Sequence, residues 1–237
     1  MLDITKIVQL EFPESQYYKQ EFTKKQIVIH HTASGRGIDG DFTHWLTDPA
    51  RIATAFIIGE DGTIYQLFSS KYWGHHLGLK SDFLKAKGFS DSNIRNNALN
   101  QSSIAIEVDS WGPLTTKNGK FYSYTGTEVP ASEVYHYNKQ LHTIPSSKYN
   151  DSIGESGKPA FYYQKYSDAQ IQSLKDLLEF LAKKFNIPLT YNQDMWNVSL
   201  NALRGDSGIY THVSYRNDKS DCHPQDNLVK MLQNLKP

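Results

Sequence analysis

Cysteine, net charge and long apolar runs are all scarce in this chain, and each scarcity removes a class of explanation. The one cysteine among 237 residues, Cys222, rules out an internal disulfide framework. Lys plus Arg and Asp plus Glu number 25 each, so the formal net charge is zero and no overall field draws the protein to nucleic acid or anionic lipid. No stretch is apolar for long enough to span a bilayer, and Met1 to Lys6 has no basic segment leading into an apolar run. The expectation is therefore a soluble protein made in the cytoplasm without an export signal, with no membrane and no nucleic-acid partner. Glycine-rich phosphate loops are absent too, which counts against a nucleotide enzyme. What the chain does have is aromatic: 13% of it, with 15 tyrosines, many of them between Tyr122 and Tyr166. Such rings suit stacking against sugars or peptides and equally suit well-packed loops.

The length supports one core. Gln26 to Ala33 reads as its centre, because three consecutive β-branched residues, Ile27, Val28 and Ile29, suit a strand covered on both faces, and two histidines, His30 and His31, end it. Adjacent strand residues point to opposite faces, so at most one of the two can serve a given ion. Residues 1–25 read as a polar lead-in that packs on the domain, with a short amphipathic piece around Tyr17 to Phe22. A short helix is predicted over Asp39 to Leu46, then a hairpin: a strand over Ile52 to Ile58, a turn at Glu60-Asp61-Gly62 and a return strand over Thr63 to Phe68. The polar stretch with Asn93, Asn96, Asn97 and Asn100 carries no assigned element. In Ser103 to Val108, Ile104, Ile106 and Val108 share one face and leave Glu107 on the other.

Residues 112–166 read as a loop-like insert with a small hairpin around Lys120 to Val129, and Tyr122, Tyr124, Tyr162 and Tyr163 as structural residues within it. Ser167-Asp168-Ala169-Gln170 has the capping-box form, and Ile171, Leu174, Leu178, Leu181 and Phe185 follow at helical spacing. A short strand over Ile209 to His212 and a final helix beginning at Pro224 complete the pattern. Strands interleaved with helices and no break in composition predict a single α/β domain with a mixed sheet.

The segment Tyr210 to Pro224 puts a strand-end histidine, His212, before a polar loop holding Asp218, Asp221, Cys222 and His223. Catalytic zinc takes three protein ligands and leaves a fourth position open. His30, His212 and one residue of this loop meet that requirement, and the chemistry alone leaves all four loop residues in contention.

Ile27-Val28-Ile29-His30-His31-Thr32-Ala33, Phe56-Ile57-Ile58 with Asp61-Gly62-Thr63, Ser103-Ile104-Ala105-Ile106-Glu107, and Thr211-His212 with Lys219-Ser220-Asp221 resemble, in that order, the type 2 N-acetylmuramoyl-L-alanine amidases. The resemblance implies the fold those zinc enzymes share with peptidoglycan recognition proteins: a mixed central β-sheet flanked by helices in one domain. It implies Zn²⁺ held by His30, His212 and Asp221, and a substrate-side histidine at His76, with His75 as the rival. It also implies Lys219 facing the scissile carbonyl, two residues before the ligand. Many members carry a catalytic tyrosine where this chain reads Thr54-Ala55-Phe56, and the branch without it uses a glutamate, a place Glu107 fills here. The implied reaction is hydrolysis of the amide between N-acetylmuramic acid and L-alanine in peptidoglycan or muropeptides, by a phage lysin or a recycling enzyme. Two rivals accompany it: a non-catalytic peptidoglycan-binding module on the same fold, and a zinc peptidase of other specificity. The 112–166 insert has no counterpart in the family pattern and is expected to border the cleft.

Overall fold

Gln26–His31 is buried at all six positions, and it forms the spine of the computed structural model, which describes residues 2–35, 37–137 and 162–236. In order, the chain forms β1 (Val8–Gln9), β2 (Gln26–His31), α1 (Asp39–Thr47), β3 (Phe56–Ile58), β4 (Ile64–Gln66), α2 (Ser81–Ala86), α3 (Ser92–Ser102) and β5 (Ser103–Val108). There follow β6 (Pro113–Lys117), β7 (Lys120–Tyr122), β8 (Glu128–Val129), β9 (Val134–His136) and β10 (Tyr162–Gln164). Then come α4 (Asp168–Phe185), α5 (Leu200–Arg204), β11 (Gly208–Thr211) and α6 (Asp226–Gln233).

The central sheet runs β1-β4-β3-β5-β2-β11 and is mixed: β4 is antiparallel to β3, while β3, β5, β2 and β11 are parallel neighbours. Strand alternation divides the core. Ile27, Ile29, Ile104 and Ile106 pack with Leu174, Leu178 and Leu181 of α4 in one apolar cluster. Val28, on the other face, packs with Leu77, Leu99, Leu203 and Tyr210. The capping box at Ser167 starts α4 as the sequence predicts, and Asn186, in left-handed conformation, ends it. Burying each of its leucines contributes about 1.5–3 kcal/mol. Among the described residues no helix is long and apolar enough to cross a membrane.

Several expectations are corrected. The strand predicted over Ile52 to Ile58 is confined to Phe56–Ile58, because Ala53 donates instead to the carbonyl of His75 and Ile52 makes one isolated bridge there. The return strand is shorter than Thr63 to Phe68. The lead-in does pack on the domain, but it also supplies an edge strand, β1, and two buried rings, Phe12 and Tyr17. Between Tyr17 and Phe22 the chain forms one isolated bridge, Tyr18 to Trp73, and no helix or strand. The asparagine-rich stretch forms α3, whose polar side chains are put to use: Asn100 Oδ1 accepts from the amides of His76 and Leu77, and Asn96 Oδ1 from that of Leu79. A helix held this way has no apolar stripe for periodicity to detect.

The described part of the insert is not a loop. Its described residues form a second, antiparallel sheet, ordered β8-β7-β6-β10-β9, around Trp111, Leu114, Val129 and Val134. The predicted hairpin exists as β7 and β8, and a tighter one joins β6 to β7 through Asn118-Gly119, both with positive φ. Residues 138–161 lie outside the described residues. The sheet is docked where Gly112 passes His31: φ is +67°, and a Cβ there would stand 2.6 Å from His31 Nε2. Only glycine fits both conditions.

Candidate metal centre and cleft

The parallel register decides what meets at the carboxyl ends of the strands. His30 pairs with Glu107 across β2 and β5, and Thr211 pairs with Ile29, so His212 comes level with His30. Side chains in register on neighbouring strands share a face, which sets Glu107, His30 and His212 along one rim. The crevice outside the carboxyl ends of parallel strands is where open α/β sheets bind ligands. Here that crevice is a cleft of about 550 Å³ lined by His30, His76, Glu107, His212, Lys219 and Asp221, with Asp41, His44, Thr54 and the exposed Tyr124 also in its wall.

Three acceptor atoms converge inside it. His30 Nδ1 and His212 Nδ1 are 3.1 Å apart, and Asp221 Oδ2 is 3.1 Å from the first and 2.9 Å from the second. Ligands about 2.0–2.1 Å from a tetrahedral zinc ion are separated by about 3.3–3.4 Å, so the spacing is close to that of a ligand set.

The far sides of the rings say where the protons are. His212 Nε2 lies 3.0 Å from the Leu77 carbonyl, which can only accept, so Nε2 carries the proton and Nδ1 presents a lone pair. For His30 the argument runs through two further groups. Ser103 Oγ donates to the Leu99 carbonyl at 2.7 Å, so it accepts from His76 Nε2, also at 2.7 Å. That leaves His76 Nδ1 to accept from His30 Nε2 at 3.1 Å and frees the His30 Nδ1 lone pair for the centre. Two lone pairs and a carboxylate facing one another at such distances require a positive charge among them, a shared proton or a metal ion. Burial first, and His212 second, lower the His30 imidazole to about 4, in keeping with a neutral ring. Burial by itself would raise the Asp221 carboxyl, but His212 and His30 hold it well below the usual carboxylate range.

The other loop residues are occupied elsewhere. Asp218 pairs with Arg216 and Lys80. Cys222 is fully buried, and burial raises its thiol. His223 is stacked on Tyr166 and Tyr163, with ring centroids 4.2 and 4.6 Å away. Among the described residues the group able to hold a metal is His30, His212 and Asp221. His31 turns to the opposite face, where its Nδ1 is 2.9 Å from the Tyr166 hydroxyl.

Glu107 is buried, and its Oε2 has no hydrogen-bond partner. Burial pushes its carboxyl well above the ordinary value, Asp221 and Asp41 add to the rise, and Lys219 opposes it. A buried carboxyl with one unpartnered oxygen is placed to take up a proton from a neighbouring group and hand it on. His76 lines the cleft with both ring nitrogens engaged, while His75 lies away from His30, His212 and Asp221, edge-on to Tyr18 and Trp73. Lys24 steadies the loop before His76: its buried ammonium donates to the carbonyls of Tyr72, Gln101 and Ser103.

Sequence reasoning missed Asp41, Ser103, Asn100 and Tyr124. None sits in a telling local pattern, and only the fold brings Asp41 and Tyr124 to the cleft and sets Ser103 and Asn100 behind His76. Tyr124, read from sequence as structural, is exposed at its rim, its ring edge-on to Trp111.

Comparison with known proteins places this geometry in a family. No curated protein matches the chain. Among solved structures, PlyL matches with 13% identity over 98% of this chain and 97% of its own, at a TM-score of 0.48. A selenomethionine derivative of AmpD matches with 14% identity over 98% and 96%, at 0.48, and a mutant endolysin from Bacillus subtilis with 15% over 96% and 96%, at 0.49. The profile of the N-acetylmuramoyl-L-alanine amidases matches residues 21–224. Since that match runs from the approach to β2 to the loop after β11 and takes in both strand-end histidines and Asp221, the chain belongs to the N-acetylmuramoyl-L-alanine amidase family.

Proposed function

We propose that this protein is a zinc-dependent amidase that cleaves the bond between the lactyl carbonyl of N-acetylmuramic acid and the L-alanine of the stem peptide. The observation that carries the reading is the convergence of His30 Nδ1, His212 Nδ1 and Asp221 Oδ2, with both rings anchored on their far sides. A zinc ion bound by these three would polarise the scissile carbonyl and lower the pKa of water towards about 7. The residues around it do the rest. Glu107 takes the proton of the attacking water on its unpartnered Oε2 and returns it to the departing amine of L-alanine. The Lys219 ammonium, on the same cleft wall, stabilises the negative charge that develops on the carbonyl oxygen. Thr54 stands where many members carry a tyrosine, so proton transfer falls to Glu107. We assign His76 to holding His30 rather than to the substrate, because it has no ring nitrogen to spare. Residues 1–25 and 112–166 belong to the same catalytic domain in this reading.

The test is to load the purified protein with zinc, incubate it with wall fragments and identify the new amine terminus. Alanine supports the amidase. Another amino acid points to a peptidase, and no release points to a binding module. Full activity after complete metal removal would defeat the zinc assignment.

A further inference from the structure

The catalytic cleft does not end at its rim. Tyr124 is shared between it and a second groove of about 670 Å³, on the hairpin face of the insert sheet, lined by Thr115, Asn118, Tyr122 and Ser123 among others. Thr115 and Tyr122 are cross-strand partners in β6 and β7, in register on one face, while Phe121 turns to the other with Leu114 and Val129. The groove therefore lies on the polar side of the sheet, and what it offers is neutral. Asn118, Tyr122 and Tyr124 make no side-chain hydrogen bond to the described residues, so an amide and two phenols are open to a ligand. Lys117 is the one charged residue lining it. Tyr124, at 70% relative exposure, stands at the junction with its ring supported edge-on by Trp111, 6.0 Å between centroids.

We propose that this groove is a glycan subsite that takes sugar units of the substrate strand beyond the residue bearing the scissile amide, with Tyr124 as the stacking platform. The inference rests on the amidase reading for its substrate but not for its geometry. An aromatic face beside hydroxyl and amide groups matches the mixed surface of an N-acetylated sugar, which presents C–H bonds on its ring face and hydroxyls and an acetamide at its edge. A stem peptide, with its several carboxylates, would find a single cation here. The groove is continuous with the cleft through Tyr124, which lines both, so a glycan strand leaving the cleft on this side would cross it.

The experiment titrates the full-length, zinc-loaded protein by calorimetry with chitotetraose, the β-1,4-linked tetramer of N-acetylglucosamine, and separately with free stem tetrapeptide. Tyr124→Ala should weaken chitotetraose binding about three- to ten-fold, the scale of one aromatic contact, and Tyr124→Trp should preserve it. Tyr122→Phe keeps side-chain shape, removes a phenol that bonds to no described residue, and should also weaken the sugar while leaving the tetrapeptide unchanged. Loss of tetrapeptide affinity with sugar binding intact would make the groove a peptide subsite and overturn the proposal. So would unchanged affinity for both ligands, or a wild-type protein that does not bind chitotetraose at millimolar concentration. Binding is read without turnover, so a protein that cleaved no muropeptide yet bound chitotetraose through Tyr124 would sink the amidase reading while leaving the groove a glycan site.

Discussion

His76→Ala is the most revealing single perturbation, because the proposed tautomer of His30 depends on a residue that touches neither the other two ligands nor the reacting bond. The relay runs from the Leu99 carbonyl through Ser103 Oγ and His76 to His30 Nε2, every link between 2.7 and 3.1 Å. Removing the imidazole leaves the His30 Nε2–H buried without an acceptor, which costs about 1–3 kcal/mol. It also frees the ring to present the wrong nitrogen. Groups that orient a metal-binding histidine are worth about 10–100-fold in metal affinity, or about 1.4–2.7 kcal/mol. The assay is competition for zinc against a chromogenic chelator, with cobalt substitution to report coordination geometry. His76→Gln should recover part of the loss, since its amide oxygen can accept from Nε2–H. Ser103→Ala, one link further out, should cost less than His76→Ala. Wild-type zinc affinity in His76→Ala, within two-fold, would refute the relay and reopen a direct substrate role for His76.

Three further outcomes are expected. Asp221→Ala should lose zinc and activity together, whereas Cys222→Ser should keep both within a few-fold, because the buried thiol is not part of the ligand cluster; zinc loss in Cys222→Ser with Asp221→Ala still loaded would reverse the assignment. Glu107→Gln should retain zinc but lose about 100-fold or more in turnover. The same variant should be more stable than the parent at neutral pH: a carboxyl raised by burial opposes folding once the unfolded chain has released its proton, and the amide removes that opposition. The third outcome concerns Asp109, which accepts from the Gly37 amide and which burial raises from 3.8 to about 7. Between those values the folded protein holds a proton that the unfolded chain has lost, so its contribution to stability falls as pH rises, by at most about 4 kcal/mol across the window. Asp109→Asn should flatten that slope in denaturant titrations between pH 4 and 8, and an unchanged slope would remove Asp109 as its source.

The residues legible from sequence are those whose local pattern and position coincide. His30 stands at the end of a wholly apolar strand, His212 at the end of another, and Glu107 on the polar side of an alternating one, and β-register needs nothing more to bring them level. The helix α4 was equally legible, since its capping box and apolar spacing lie within a single segment. Long-range relations were less so. The asparagines of α3 looked like loop composition because their partners, the amides of His76, Leu77 and Leu79, lie 17 to 24 residues away in the chain. The Asn118-Gly119 hairpin signal is embedded among polar residues, and the sheet in the described part of the insert depends on β10, which is distant in sequence.

The sequence by itself determined the buried central strand, the strand ends that carry the histidines and the donor types available to a metal, because these follow from alternation, β-branching and side-chain chemistry. Tertiary structure decided where each loop side chain lies. It turned Asp221 towards the two histidines while Asp218 went to Arg216 and His223 into a stack of tyrosines. It also engaged both nitrogens of His76 and carried Tyr124 from the middle of an insert to the rim of the cleft. The physical reason is the same in each case. Which atom a side chain meets depends on the path of backbone far from it in sequence, and periodicity in one segment holds no information about that path.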